Sequence, residues 1–143
     1  MPADLRIKIC CIQTLDEARS AAAAGADAIG LVSAMPSGPG PIDDRLIAAI
    51  AAGAPAPLRR VLLTARTTAV AIADHVRACG VDAVQLVDRV AADELSRLRE
   101  FLPRTCVMQV VHVVGEAAVA EAAAVAPFVD ELLLDSGEPD ASQ

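Results

Sequence analysis

Apolar residues recur along the chain in two rhythms. Short runs in which apolar and polar residues alternate are separated by longer alanine-rich stretches of helical spacing, the pattern of βα units on a parallel sheet. The alternation predicts strands over 5–12, 28–34, 59–65, 83–88, 105–113 and 131–135. The helical spacing predicts helices over 15–24, 43–53, 67–79, 91–102 and 116–126. Thr14 stands three residues before Glu17 as in a capping box, and Thr67 or Thr68 can cap the third helix. The segment GADAIGLV at 25–32 recurs as GVDAVQLV at 80–87, two βα units later. In each copy a glycine can stop a helix in the left-handed conformation and Asp-Ala leads into a buried strand. Six strands with such a repeat favour a (β/α)8 barrel, incomplete at six strands and five helices, over a doubly wound sheet. The whole of 1–143 reads as a single partial barrel domain.

Composition narrows the function. More than half the residues are apolar and only two are aromatic, so the core is built from Val, Leu, Ile and Ala. A net charge of −7 argues against a nucleic-acid or anionic-membrane surface, and Arg59–Arg60 is the only adjacent basic pair. Cysteines at 10, 11, 79 and 106 show no CxxC spacing and the two histidines are far apart in sequence, so neither a metal nor any other cofactor is expected. With no signal-like start and no apolar run of membrane-spanning length, the expectation is a cytoplasmic chain beginning at Met1, with reduced thiols. The Gly/Pro-rich stretch AMPSGPGPIDD follows strand two, at the end where barrels carry their chemistry.

Alternation in strand one puts Leu5, Ile7, Ile9 and Cys11 on the face turned to the helices, and Arg6, Lys8, Cys10 and Ile12 on the inner face. Cys10 is then either a small buried hydrophobe or, with the Lys8 ammonium favouring its thiolate, a base at the C-terminal end of the strand. Strand six ends in ELLLDS, with Glu131, Leu133 and Asp135 on one face. A carboxyl following so apolar a run, at the catalytic end of a barrel strand, reads as functional. One thiol and one carboxyl facing a common pocket can move a proton between neighbouring carbons. Gln85 and Gln109 are expected as inward polar fillers, His75 as a helix-surface residue and His112 as a strand-end residue.

The segments IKICCIQT, GADAIGLV, AVQLV and ELLLDS, in that order through all 143 residues, resemble phosphoribosylanthranilate isomerase, whose first strand reads KICG. The resemblance implies a TIM-barrel enzyme of tryptophan biosynthesis that converts an aminoaldose to an aminoketose, an Amadori rearrangement. It further implies that Cys10 is the general base and Asp135 the general acid. Asp135 would protonate the ribose ring oxygen and Cys10 would take the C2 proton.

The chain departs from that family at several places. The glycine after KIC is Cys11, the histidine after QL is Val87, and the SPR element after strand two is replaced by SGPGP. Lys8, and Arg66 just past strand three, are the expected substrate-binding cations. The family holds the substrate phosphate with glycine-rich backbone beyond strands six, seven and eight, none of which this sequence contains, so activity of the chain alone is expected to be poor. Open edges at strands one and six point to self-association. Two other readings are a truncated, non-catalytic barrel homologue that oligomerises and another phosphosugar barrel enzyme such as an epimerase.

Overall fold

A computed structural model describes residues 4–137. Six parallel strands run in chain order, β1 (Lys8–Ile9), β2 (Ala28–Val32), β3 (Arg59–Thr64), β4 (Ala83–Leu86), β5 (Cys106–His112) and β6 (Glu131–Asp135). Between them lie α1 (Leu15–Ala23), α2 (Asp44–Gly53), α3 (Ala69–Cys79), α4 (Ala92–Phe101) and α5 (Ala117–Val125), with a 3₁₀ turn at Ala126–Phe128. Each strand pairs with its sequence neighbours, so β1 and β6 each keep one side unpaired. The sheet is nevertheless curved. Arg6, just ahead of β1, reaches Glu131 at the start of β6 over 3.2 Å, and Arg59 reaches the same carboxylate oxygen at 2.9 Å. The expected six-strand, five-helix partial barrel is what forms. The tail from Glu138 onward lies outside the described residues.

The helix starts follow their side chains. Thr14 Oγ1 accepts from the Glu17 N–H at 3.1 Å, while Glu17 reaches back to the Gln13 N–H at 2.6 Å, a capping box displaced by one residue. Asp43 caps α2 through the Leu46 N–H, and of the two candidate threonines Thr68 caps α3 through the Ala71 N–H. Gly25 and Gly80 hold φ of +90° and +63°, as expected of left-handed helix stops.

The repeat has a structural cause that extends to a third copy. Asp27 and Asp82, ahead of β2 and β4, accept backbone N–H bonds from Ile7 (2.7 Å) and Arg60 (3.1 Å) at the starts of the strands beside them. Asp130, ahead of β6, does the same for Val107 at 2.8 Å. The two-unit period is therefore a carboxylate pinning each odd strand to the next even one.

Two apolar layers flank the sheet. Ile29, Leu31, Leu62, Val84, Leu86, Val107 and Val111 pack outward against Ile47, Ile50, Ile72, Val76, Leu95 and Leu98 of the helices. A smaller inner cluster joins Ala28, Val32, Val61, Leu63, Ala83 and Met108. No described helix covers the outer faces of the edge strands, where Ile7, Ile9 and Leu134 are 47%, 42% and 66% exposed. The expectation that Ile7 and Ile9 meet helices therefore fails, because the covering would have to come from βα units beyond β6.

Strand one is shorter than the expected 5–12. Its ladder ends at Ile9, and Cys11 adopts φ +58°, the left-handed conformation that favours glycine. This turn breaks the alternation. Ile12, expected on the inner face, is buried in the helix-side core, and Cys11, expected against the helices, packs at the rim of the inner cluster. Gln109 is a second correction: it shares parity with outward Val107 and Val111 and donates to the carbonyls of Leu86 and Asp88 at 3.1 and 3.0 Å. Parity turns the side chain outward, and the Leu86 and Asp88 carbonyls give the buried amide its acceptors.

Candidate active site

The curvature brings the C-terminal ends of the strands round one mouth. At β1, Cys10 projects to the inner face over Gly30 of β2. A Cβ at Gly30 would lie 2.8 Å from the Cys10 Sγ and 3.2 Å from its Cα, so the space for the thiol exists because residue 30 has no side chain. Cys10 is exposed and free, which removes the reading of it as a buried hydrophobe. Below it, Lys8 points inward as expected and donates to the Gln85 side-chain oxygen. Burial pushes the Lys8 ammonium below the ordinary lysine value, opposed by the Cys10 and Cys11 thiols and by Glu131. Burial, then the Cys10 thiol, push Cys11 up, while Lys8 acts the other way. Cys11 Sγ lies 3.5 Å from the Pro39 carbonyl, tying the strand-one end to the Gly/Pro loop.

On the far side of the open edge, alternation along β6 turns Glu131, Leu133 and Asp135 inward. Asp135 Oδ1 accepts the Gly137 N–H at 3.2 Å, and Oδ2 lies 4.0 Å from His112 Nδ1. Register explains that neighbour, since His112 of β5 pairs directly with Asp135. His112 was expected as a strand-end residue, and its place beside Asp135 was not anticipated. The signal was present in the spacing of Cys106, Met108, Val110 and His112, which share one face.

Arg66 lies on the outer rim rather than in the barrel mouth. Its guanidinium donates to the Ala71 carbonyl at 3.1 Å and stands 4.0 Å from Asp44. A cavity of about 240 Å³ there is lined by Ser33, Asp44, Thr64, Arg66 and His75. His75, expected on a helix surface, is buried between Thr64 Oγ1 and Asp44 Oδ1, each at 3.0 Å, because it shares the inward stripe of α3 with Ile72 and Cys79. Asp44, His75 and Cys79 place ligand atoms within 4.8 Å of one another. As a metal site the set is poorly prepared: both imidazole nitrogens are engaged, and burial pushes the Cys79 thiol up to about 11. A larger cavity of about 470 Å³ opens at the opposite end of the strands, among Arg6, Lys8, Arg59, Met108 and Glu131. It lies away from Cys10 and Asp135.

N-(5'-phosphoribosyl)anthranilate isomerase 2 of Methanosarcina mazei is 32% identical over 133 residues, which are 92% of this chain and 59% of that protein. The crystal structure of phosphoribosyl anthranilate isomerase from Thermotoga maritima superposes with a TM-score of 0.81 at 27% identity, over 95% of this chain and 63% of that one. In sequence and in fold the chain is similar to phosphoribosylanthranilate isomerases. It spans about three fifths of the length of the curated relatives it matches. A further solved isomerase, in complex with reduced 1-(o-carboxyphenylamino)-1-deoxyribulose 5-phosphate, shares the fold with a TM-score of 0.74 at 23% identity, over 96% of this chain and 78% of that one. No family model matches the chain. Among the described residues no helix is long and apolar enough to cross a membrane.

Proposed function

We propose that the chain supplies the catalytic six strands of a phosphoribosylanthranilate isomerase, acting in tryptophan biosynthesis in the cytoplasm. The observation that carries this reading is the pair of inner-face groups at the C-terminal strand ends, the exposed Cys10 thiol on β1 and the Asp135 carboxyl on β6. Asp135 donates a proton to the ribose ring oxygen as the C1–O bond opens, giving the Schiff base. Cys10, as thiolate, takes the C2 proton, and the resulting enolamine tautomerises to the aminoketose. Lys8 lies two residues before the thiol on the same inner face of β1 and donates to Gln85.

Arg66 takes part in substrate binding only by releasing Asp44 and the Ala71 carbonyl and swinging toward the mouth, where it would meet the anthranilate carboxylate. The substrate phosphate is held by backbone beyond β6, so residues 1–143 alone turn over negligibly. Their unpaired edges and the bare faces at Ile7, Ile9 and Leu134 support self-association of the isolated chain.

The test is a fusion of this chain to the last two βα units of the Methanosarcina mazei relative, expressed in a bacterium lacking the isomerase. Growth without tryptophan is expected from the fusion and not from residues 1–143. A soluble fusion that fails to support growth counts against the proposal.

A further inference from the structure

His112 is the neighbour of Asp135 that the family resemblance did not assign. Its two ring nitrogens have different surroundings. Nε2 lies 3.1 Å from the Val87 carbonyl oxygen, which can only accept, so this nitrogen carries a proton. Nδ1 is buried, has no hydrogen-bond partner among the described residues, and is aimed at Asp135 Oδ2 over 4.0 Å. A buried ring nitrogen left without a partner carries a desolvation cost that folding alone does not explain. Asp135 carries the one carboxylate within 4.0 Å of the imidazole nitrogens among the described residues. Its other oxygen is already fixed by the Gly137 N–H, which leaves Oδ2 as the oxygen that faces the ring.

We propose that His112 is a positioning residue for the general acid, the proton partner that recharges Asp135. The inference rests on the reading of Asp135 as that acid. When the C1–O bond of the ribose opens, Asp135 passes its proton to the ring oxygen and is left as a carboxylate. An imidazolium at His112 then gives its Nδ1 proton to Oδ2 and returns to the neutral Nε2–H form, taking its next proton from solvent. A small rotation about the Asp135 side chain, or one water, spans the 4.0 Å gap. The Val87 carbonyl has a defined part in this. It holds the ring in the tautomer whose Nδ1 is free, and the backbone at the position where the family carries its own histidine thereby orients a histidine from the next strand.

The chain contains two histidines, so imidazole nitrogen resonances can be read on residues 1–143 without turnover. Long-range ¹H–¹⁵N spectra should show neutral His112 as the Nε2–H tautomer. Asp135→Asn should move the Nδ1 resonance and leave that of Nε2 in place, while Asp44→Asn should affect His75 alone. An Nδ1 resonance indifferent to Asp135→Asn, or a neutral ring protonated on Nδ1, overturns the pairing. In the fusion described above, His112→Gln can still donate to Val87 and accept from Asp135 but cannot carry a proton. It should lower kcat about tenfold or more with KM little changed, and added imidazole should restore part of the rate to His112→Ala. Full turnover by His112→Gln overturns the role. A fusion that never turns over, with the Nδ1 response intact, sinks the isomerase reading and leaves the pairing standing.

Discussion

Replacing Gly30 by alanine puts a methyl group where the Cys10 side chain now sits. The new Cβ would stand 2.8 Å from Sγ, 3.2 Å from the Cys10 Cα and 3.2 Å from Leu63 Cδ1. The thiol can rotate away, but the Cα belongs to backbone held by the β1–β2 ladder, so part of the clash has to be absorbed by the strands. Overpacking of this kind costs about 1–3 kcal/mol. Alanine recovers roughly 0.4–1 kcal/mol by restricting the unfolded chain. The net loss is about 1–2 kcal/mol, which for a chain of this size lowers Tm by roughly 3–6 °C. Gly115→Ala is the control, because nothing lies within 4 Å of its added Cβ and its φ is ordinary. That variant should melt at or slightly above the parent. The assay is thermal unfolding followed by circular dichroism, with the rate of Cys10 modification by an aromatic disulfide as a second reading. Gly30→Ala should also change the thiol's reaction rate, since Sγ is forced into another rotamer. If Gly30→Ala and Gly115→Ala melt alike and react alike, Gly30 does not make the room for the thiol and the inner-face placement of Cys10 is wrong.

Three further outcomes follow from the same geometry. Cys11→Gly relieves a side chain held at φ +58° and should leave stability within about 0.5 kcal/mol of the parent, strain relief offsetting the freer unfolded chain; a loss of several times that in denaturant unfolding would mean that Cys11 packing dominates. Burial raises the Asp130 carboxyl, but the Val107 N–H and Arg99 outweigh it and hold the group below its ordinary value. A depressed folded pKa stabilises above the unfolded value and is lost as pH falls through the folded one, so Asp130→Asn should be destabilised near neutrality and converge on the parent as acid protonates the Asp130 carboxylate of the folded parent; a deficit unchanged from neutrality to that point contradicts the assignment. Light scattering on residues 1–143 at micromolar concentration should give a mass above 14.7 kDa, reduced toward the monomer by Leu134→Lys with Ile9→Lys; a parent that is already a well-folded monomer refutes association through the edges.

Much of the architecture was legible because period-2 and helical runs are separated by caps whose chemistry is local. Thr14, Thr68, Gly25 and Gly80 act within one turn of their own positions, and sequence reasoning placed all of them except Thr68, which it left beside Thr67 as an equal candidate. The faces of strand one were legible only as far as Cys10. Alternation assumes an unbroken pleat, and the left-handed Cys11 ends it, exchanging the sides of Cys11 and Ile12. Gln109 was misassigned because it was weighed by type, although Val107 and Val111 in its own segment mark its face of β5 as outward. His75 was misread because a histidine was weighed by type, although Ile72, Val76 and Cys79 on either side mark its face of α3 as buried. Lys8, Cys10 and Asp135 point to the inner face as strand parity predicts, because parity alone fixes that direction. His112 required the β5–β6 register as well, which only the assembled sheet supplies.

Cys10 and Asp135 are proposed to move protons in one reaction. The decisive measurement is the steady-state rate at which the purified fusion converts N-(5-phosphoribosyl)anthranilate to the aminoketose, for the parent, Cys10→Ser and Asp135→Asn. The parent fusion should turn over, and each variant should lose about 10²–10⁴ in kcat while keeping its fold by circular dichroism, the loss expected when a general base or acid is removed. Variants that convert substrate as fast as the parent, or a folded parent fusion that converts none, would contradict it.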